Sequence, residues 1–138
     1  MQNIDWASLG FSYMDTHCHI RYVWRDGVWS EGELVKEPYL KMHIAASCLH
    51  YGQEAFEGLK AFRCKDGKVR IFRPHANGER LIRSARRTCM APVPVEMFVD
   101  AVKRAVKANE DFMPPYGTGG SMYIRPLLLG TGPQIGVA

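Results

Sequence analysis

The sequence predicts a small α+β domain, a mainly antiparallel sheet built from hairpins with two helices packed on it. Three observations carry that prediction. Two Asp-Gly dipeptides, Asp26-Gly27 and Asp66-Gly67, each stand between runs of β-branched and aromatic residues, the short-range signature of a hairpin. Two apolar patterns of helical period follow, opening near Pro74 and Val95. A final apolar run from Ser121 to Leu129 returns to strand character. Strands, then helices, then a strand is an α+β order and not the regular alternation of a parallel sheet.

Residues 1–12 read as an N-terminal arm, broken at Leu9-Gly10. From Asp15 to Trp29 the period is two: His17, His19, Arg21 and Val23 share one face, and Cys18, Ile20, Tyr22 and Trp24 the other. The apolar second set predicts a half-buried strand. Arg25-Asp26-Gly27 supplies its turn, with Gly free to take positive φ, and Val28-Trp29 begins the return. In the second hairpin, Gly58 to Arg63 and Lys68 to Phe72 flank Lys65-Asp66-Gly67.

Arg73-Pro74 opens the first helix, since proline suits a first turn. Leu81, Ile82 and Ala85 form its apolar face, and Arg80, Arg83 and Arg87 cluster on another. Gly78 lies within it, a local weakness of about 1 kcal/mol against alanine. The second helix carries Val95, Phe98, Val99, Val102, Ala105 and Val106 on one stripe, with Pro94 and Glu96 at its start. Pro114-Pro115 bars its continuation. Gly117-Thr118-Gly119-Gly120 forms a turn before the last strand.

Composition narrows the functional classes. At 138 residues the chain makes one domain, and a chain of this size buries roughly 65–70% of its unfolded surface without staples. Hydrophobic residues at 46% and charged residues at 23% exclude a disordered or fibrous class. No apolar run approaches the roughly 18 residues a membrane helix needs. The start lacks the basic-then-apolar pattern of a secretory signal, so the cytoplasm is the expected location. Cys18, Cys48, Cys64 and Cys89 contain no CxxC pair and are expected to be reduced thiols. A net charge of +4 permits an anionic ligand without demanding nucleic acid.

Few groups carry chemistry. His17 and His19 share a strand face while Cys18 points away, so they do not make a zinc site and read as a polar face. Gly117 to Gly120 is followed by no Gly-Lys-Ser/Thr and reads as a flexible turn. Arg80, Arg83, Arg86 and Arg87 form either a solvated helix face or a phosphate site, because a guanidinium offers a planar charged fork. Together with Lys103, Arg104 and Lys107 they are also the residues a nucleic-acid-binding module would use. Tyr123 and Arg125 project to one strand face, as a solvent-wetted pair or as ligands for a carboxylate. Tyr51 and Phe56 line an apolar wall or belong to the core. None of the seven lysines is marked as a nucleophile.

Read together, several segments resemble branched-chain amino-acid aminotransferases, pyridoxal-phosphate enzymes of the fold-type IV class. They are Leu49-His50-Tyr51-Gly52, Ala55 to Arg63, Asp66 to Pro74, Asn77 to Leu81, Tyr123-Ile124-Arg125-Pro126 and Gln134 to Val137, in order and at family spacing. Tyr-Ile-Arg-Pro distinguishes this family from D-amino-acid aminotransferases and aminodeoxychorismate lyases, the alternative within the same fold. The resemblance implies that Arg80 holds the cofactor phosphate and that Tyr123 and Arg125 face the substrate. It makes Tyr51, Phe56 and Tyr13 walls of a pocket for leucine, isoleucine or valine side chains. Val137 falls in a loop that reaches a neighbouring subunit, which implies a homodimer. The partners implied are small amino acids and 2-oxo acids, with neither nucleic acid nor membrane. Gly78 departs from the methionine of many members. The Schiff-base lysine is expected in a larger domain beyond Ala138, so no catalytic residue is expected here. Residues 13–130 then form the small domain and 131–138 begin an interdomain linker.

Overall fold

A computed structural model describes residues 4–8 and 10–136. Five short strands form the part of the sheet that matters for the site: β5 (Glu54–Phe56), β6 (Leu59–Arg63), β7 (Val69–Ile71), β8 (Met122–Ile124) and β9 (Leu127–Leu129). They follow two N-terminal ladders, β1 (His19–Arg21) with β4 (Glu33–Val35) and β2 (Trp24–Arg25) with β3 (Val28–Trp29). All pairs are antiparallel. β6 is central, between β7 and β8, while β5 pairs with β9.

Both Asp-Gly hairpins form. Asp26 and Gly27 take φ of 54° and 80° between β2 and β3, the paired positive angles of a type I′ turn. Gly67, at φ 84°, closes the β6–β7 turn, where Cys64 N–H donates to Lys68 O at 2.8 Å. Asp66 stiffens this turn by accepting from Lys68 N–H and from both ends of the Arg70 guanidinium. That pairing holds the Asp66 carboxyl down at about 2.

The period-two strand expected from Asp15 to Trp29 is interrupted. Its ladders differ in register by one residue: Arg21 faces Glu33, but Trp24 faces Trp29. The second arm therefore holds one extra residue in the stretch Ser30 to Gly32, and an odd insertion exchanges the faces of a strand. Cys18 is buried, as the alternation requires, whereas Trp24 is exposed. Ser30 covers the break: its N–H donates to Val23 O and its hydroxyl accepts from Val23 N–H, both at 2.8 Å.

The strand expected over Ser121 to Leu129 is likewise two pieces, β8 and β9, on either side of Arg125-Pro126. Phe56 faces Leu127 and Leu59 faces Ile124, so one register runs through the gap. Pro126 has no N–H to donate, which breaks the ladder there, but its carbonyl still accepts from Glu57 N–H at 2.9 Å.

Helices α2 (Pro74–Arg87) and α3 (Val95–Ala108) start and stop within a residue or two of their signals. They cover one face of the sheet. Ala55, Leu59 and Ala61 from the sheet meet Leu81 of α2 and Phe98, Val99, Val102 and Val106 of α3 in a single core. Gly78 is not merely a weak point: it is buried, and a Cβ there would lie 3.2 Å from the Phe98 ring. Its missing side chain lets α2 approach α3.

Two tertiary ties have no local sequence signal. Buried Asn109, just past α3, accepts from His17 and Cys18 N–H at 2.9 and 3.1 Å and donates to Cys18 O at 3.0 Å. A short helix α1 (Ser47–Tyr51), unanticipated from periodicity, ends in Gly52 at φ 62°. The C-terminal segment lies against it through Cys48 N–H to Gly130 O at 2.9 Å and Gln134 N–H to Ala45 O at 3.0 Å. All four cysteines are free thiols, as expected. Among the described residues no helix is long and apolar enough to cross a membrane.

Phe98 joins α2, α3 and the sheet, so Phe98→Ala is expected to destabilise the domain by about 3–5 kcal/mol, the range for emptying a buried aromatic site. Urea unfolding followed by circular dichroism measures this.

Candidate functional site

Alternation along β5 and β6 sorts the site. Ala55, Glu57, Leu59 and Ala61 turn toward the helices and are buried, while Phe56, Lys60 and Phe62 face outward and are exposed. A carboxylate thus occupies a core-facing position. Glu57 is 3% exposed, and an isolated charge there would be strongly unfavourable.

Arg80, one turn and a half into α2, supplies the compensation. Its Nε–H donates to Glu57 Oε2 at 2.8 Å and its Nη2–H to Oε1 at 2.6 Å. Asn77, one turn earlier, donates from Nδ2 to Glu57 Oε1 at 2.9 Å. Burial pushes the Glu57 carboxyl up, but the Arg80 and Asn77 hydrogen bonds and the nearby Arg80 and Arg83 charges outweigh it, leaving the carboxyl below its ordinary value. The Arg80 side chain remains 60% exposed.

On the outward face Tyr123 and Arg125 stand together as their strand spacing predicts. The Tyr123 hydroxyl accepts from Arg125 Nη2–H at 2.9 Å and from Nε–H at 3.3 Å. Its oxygen being so occupied, the hydroxyl proton is free to donate to an incoming oxygen. The Arg125 guanidinium lies 4.2 Å above the Phe56 ring, a cation–π contact that holds the charge at the surface of an apolar group. Phe11 packs edge-on to Tyr123 with centroids 5.1 Å apart. Gly58 leaves room for this arrangement, because a Cβ there would collide with the Tyr123 hydroxyl as it is placed. An open cleft of about 350 Å³ runs beside this cluster, lined by Gly58, Lys60, Phe62, Phe72, Asn77 and Tyr123.

The other expected site residues are placed unevenly. Tyr51, exposed at the end of α1, receives the Gly136 N–H on its hydroxyl, which brings the C-terminal segment to that ring. Tyr13 is exposed beside Asp15, whose hydrogen bond and charge raise its phenol; it joins none of the ring contacts above. Val137 lies outside the described residues. His17 pairs with Asp111 and His19 with Arg21, each at about 3 Å. Among the described residues no three His, Cys, Asp or Glu side chains gather as metal ligands. The basic residues do not form one face. Arg104 turns inward to the Tyr22 hydroxyl and Gly32 O, and Lys103 and Lys107 line a separate cleft with Arg63 and Lys68.

The sequence alone marks no role for Glu57, Asn77, Gly58 or Phe11. Glu57 did carry a signal: it interrupts the buried alternation of Ala55, Leu59 and Ala61. Phe11 carried none, since only tertiary folding lays residue 11 against Tyr123.

A domain with this sheet, these two helices and this exposed Tyr-Arg face has the fold of the small α+β domain of fold-type IV aminotransferases. No family model matches the chain. It is 51% identical to a branched-chain-amino-acid aminotransferase of Haemophilus influenzae over 99% of its own length and 40% of the relative's. The corresponding enzyme of Helicobacter pylori is 43% identical, with the same coverage. The crystal structure of a branched-chain aminotransferase from Thermoproteus uzoniensis with norvaline superimposes with a TM-score of 0.62 at 32% identity, covering 86% of this chain and 36% of that one. The chain is therefore a homologue of the branched-chain aminotransferases, and spans about 40% of the length of the curated relatives it matches.

Two outcomes follow from the geometry. Gly58→Ala is expected to displace the Tyr123 hydroxyl from Arg125, visible as shifted aromatic and guanidinium resonances with the fold retained. Because the Glu57 carboxyl is lowered on folding, its contribution is present above the ordinary carboxylate range and is lost as pH falls below about 4.5. Glu57→Gln should therefore cost about 1–2 kcal/mol at neutral pH, and the gap from the unmodified chain should narrow toward pH 3 in urea titrations.

Proposed function

We propose that this chain is the small domain of a pyridoxal-phosphate-dependent branched-chain aminotransferase, which moves an amino group between leucine, isoleucine or valine and 2-oxoglutarate as a homodimer. In this reading residues 13–130 are the small domain, 1–12 an arm, and 131–138 lead into a larger domain holding the lysine that binds the cofactor. The chain alone is then inactive. The working enzyme belongs in the cytoplasm, which fractionation tests.

The observation that carries the reading is the arginine laid on an aromatic face. The reaction requires one pocket to accept an apolar side chain and a carboxylate in turn. Burying a charge without a partner is strongly unfavourable, so a wall for both must hold its cation at the rim of an apolar surface. Arg125 over Phe56, with the Tyr123 hydroxyl beside it, is such a wall. Tyr51 and Tyr13 extend it, and Val137 is assigned to the neighbouring subunit's pocket. Arg80 fits the phosphate role, since one end of its guanidinium is exposed and carries donors free for an anion. The cofactor, once bound, supplies the electron sink, while these residues orient substrate and cofactor.

In the protein expressed from its full reading frame, Arg125→Ala should raise KM for 2-oxoglutarate by about 10- to 100-fold, the worth of a charge-assisted pair. The leucine half-reaction should change far less. Equal losses in both would overturn the assignment. The isolated chain, treated with pyridoxal phosphate and borohydride, should acquire no stoichiometric adduct on a single lysine; such an adduct with turnover would refute the need for a second domain.

A further inference from the structure

The structure assigns Glu57 as the residue that positions Arg80 toward the cofactor phosphate, an inference that rests on the proposed role of Arg80. Of the two flat edges a guanidinium can offer, Glu57 occupies the one formed by Nε and Nη2. Nη1 and the second proton of Nη2 are not engaged by Glu57, and the Arg80 side chain is 60% exposed. One carboxylate thus holds the guanidinium side-on and leaves its end a bidentate donor for phosphate oxygens. Without that hold, a long side chain on a helix surface would be spread over many rotamers.

Glu57 is itself fixed from three sides. Its N–H donates to Pro126 O, Asn77 donates to its Oε1, and its side chain is buried against α2. The flanking residues set the other half of the site: Phe56 lies under the Arg125 guanidinium and Gly58 admits the Tyr123 hydroxyl. Three consecutive residues therefore place the phosphate-facing arginine on one side of the chain and the substrate-facing pair on the other.

A carboxylate beside Arg80 also offsets part of its positive charge. If charge alone mattered, removing Glu57 would tighten phosphate binding; if orientation matters, removal weakens it. The test uses the protein from its full reading frame, freed of cofactor, and titrates it with pyridoxal phosphate and with pyridoxal, which lacks the phosphate, reading bound ligand by absorbance. Glu57→Gln is expected to lower affinity for pyridoxal phosphate by about tenfold, roughly one charge-assisted hydrogen bond, and to leave pyridoxal binding unchanged. The effect should vanish in an Arg80→Ala background, since the two act as one unit. Equal losses for both ligands, or unchanged or tighter binding of pyridoxal phosphate, would overturn the assignment. Should E57Q fail to fold, Glu57→Asp, which keeps the charge and withdraws it by one methylene, is judged by the same criteria. Arg80→Ala separates the two levels of the argument. If it leaves the preference for the phosphorylated ligand intact, the role of Arg80 itself is wrong; if it abolishes that preference while the Glu57 variants do not, only the positioning role is.

Discussion

The antiparallel pairing of residues 54–61 with residues 122–129 closes the chain around the β6–β7 hairpin and both helices, and the side chains that these strands bring to the site take their direction from it. Because side chains alternate across a strand, this register sends Ala55, Leu59 and Ala61 into the core and Phe56, Lys60, Tyr123 and Arg125 to the opposite face. A slip of one residue would exchange the two sets and remove core and site together. The gap at Pro126 does not disturb the register. It leaves room, at the centre of the pairing, for Glu57 on one face and Arg125 on the other.

Electrostatics at the site follow one pattern. Each arginine has a partner that restrains it and donors left over: Arg80 is held by Glu57, and Arg125 by the Tyr123 hydroxyl and the Phe56 ring. A guanidinium suits this use because it is permanently charged and planar, so restraint at one edge aims the rest. Hydrogen bonds from Arg80 and Asn77 keep the buried Glu57 carboxyl charged against the effect of burial. The same residues serve stability and orientation.

The close approaches of the domain depend on glycines whose Cα sits under a neighbour's ring or hydroxyl. Gly78 lets α2 meet Phe98, and Gly58 lets Tyr123 reach Arg125. Neither has the positive φ of the turn glycines Gly27 and Gly67. In both, the missing side chain provides space and not backbone freedom. A local reading could therefore register Gly78 only as a loss of helix propensity.

The sequence by itself determined the α+β class, both Asp-Gly hairpins, the two long helices with their core stripes, and the pairing of Tyr123 with Arg125. These depend on local chemistry: turn residues that accept positive φ, a period of 3.6 or 2, and two residues two apart in one extended segment. The resemblance to branched-chain aminotransferases was legible in the same way, as short motifs in order. Only the tertiary structure decided where the strands break, since an extra residue after Trp29 and the missing N–H of Pro126 matter only once a partner strand is aligned. It also decided that Asn109 ties the first strand to α3, that Phe11 packs on Tyr123, and that Arg104 turns inward. Glu57 lies between the two: its place in a buried alternation is visible in the sequence, but the arginine that makes that burial tolerable comes from a helix brought alongside by folding. A buried charge is explained by its partner, and that partner is 23 residues away along the chain.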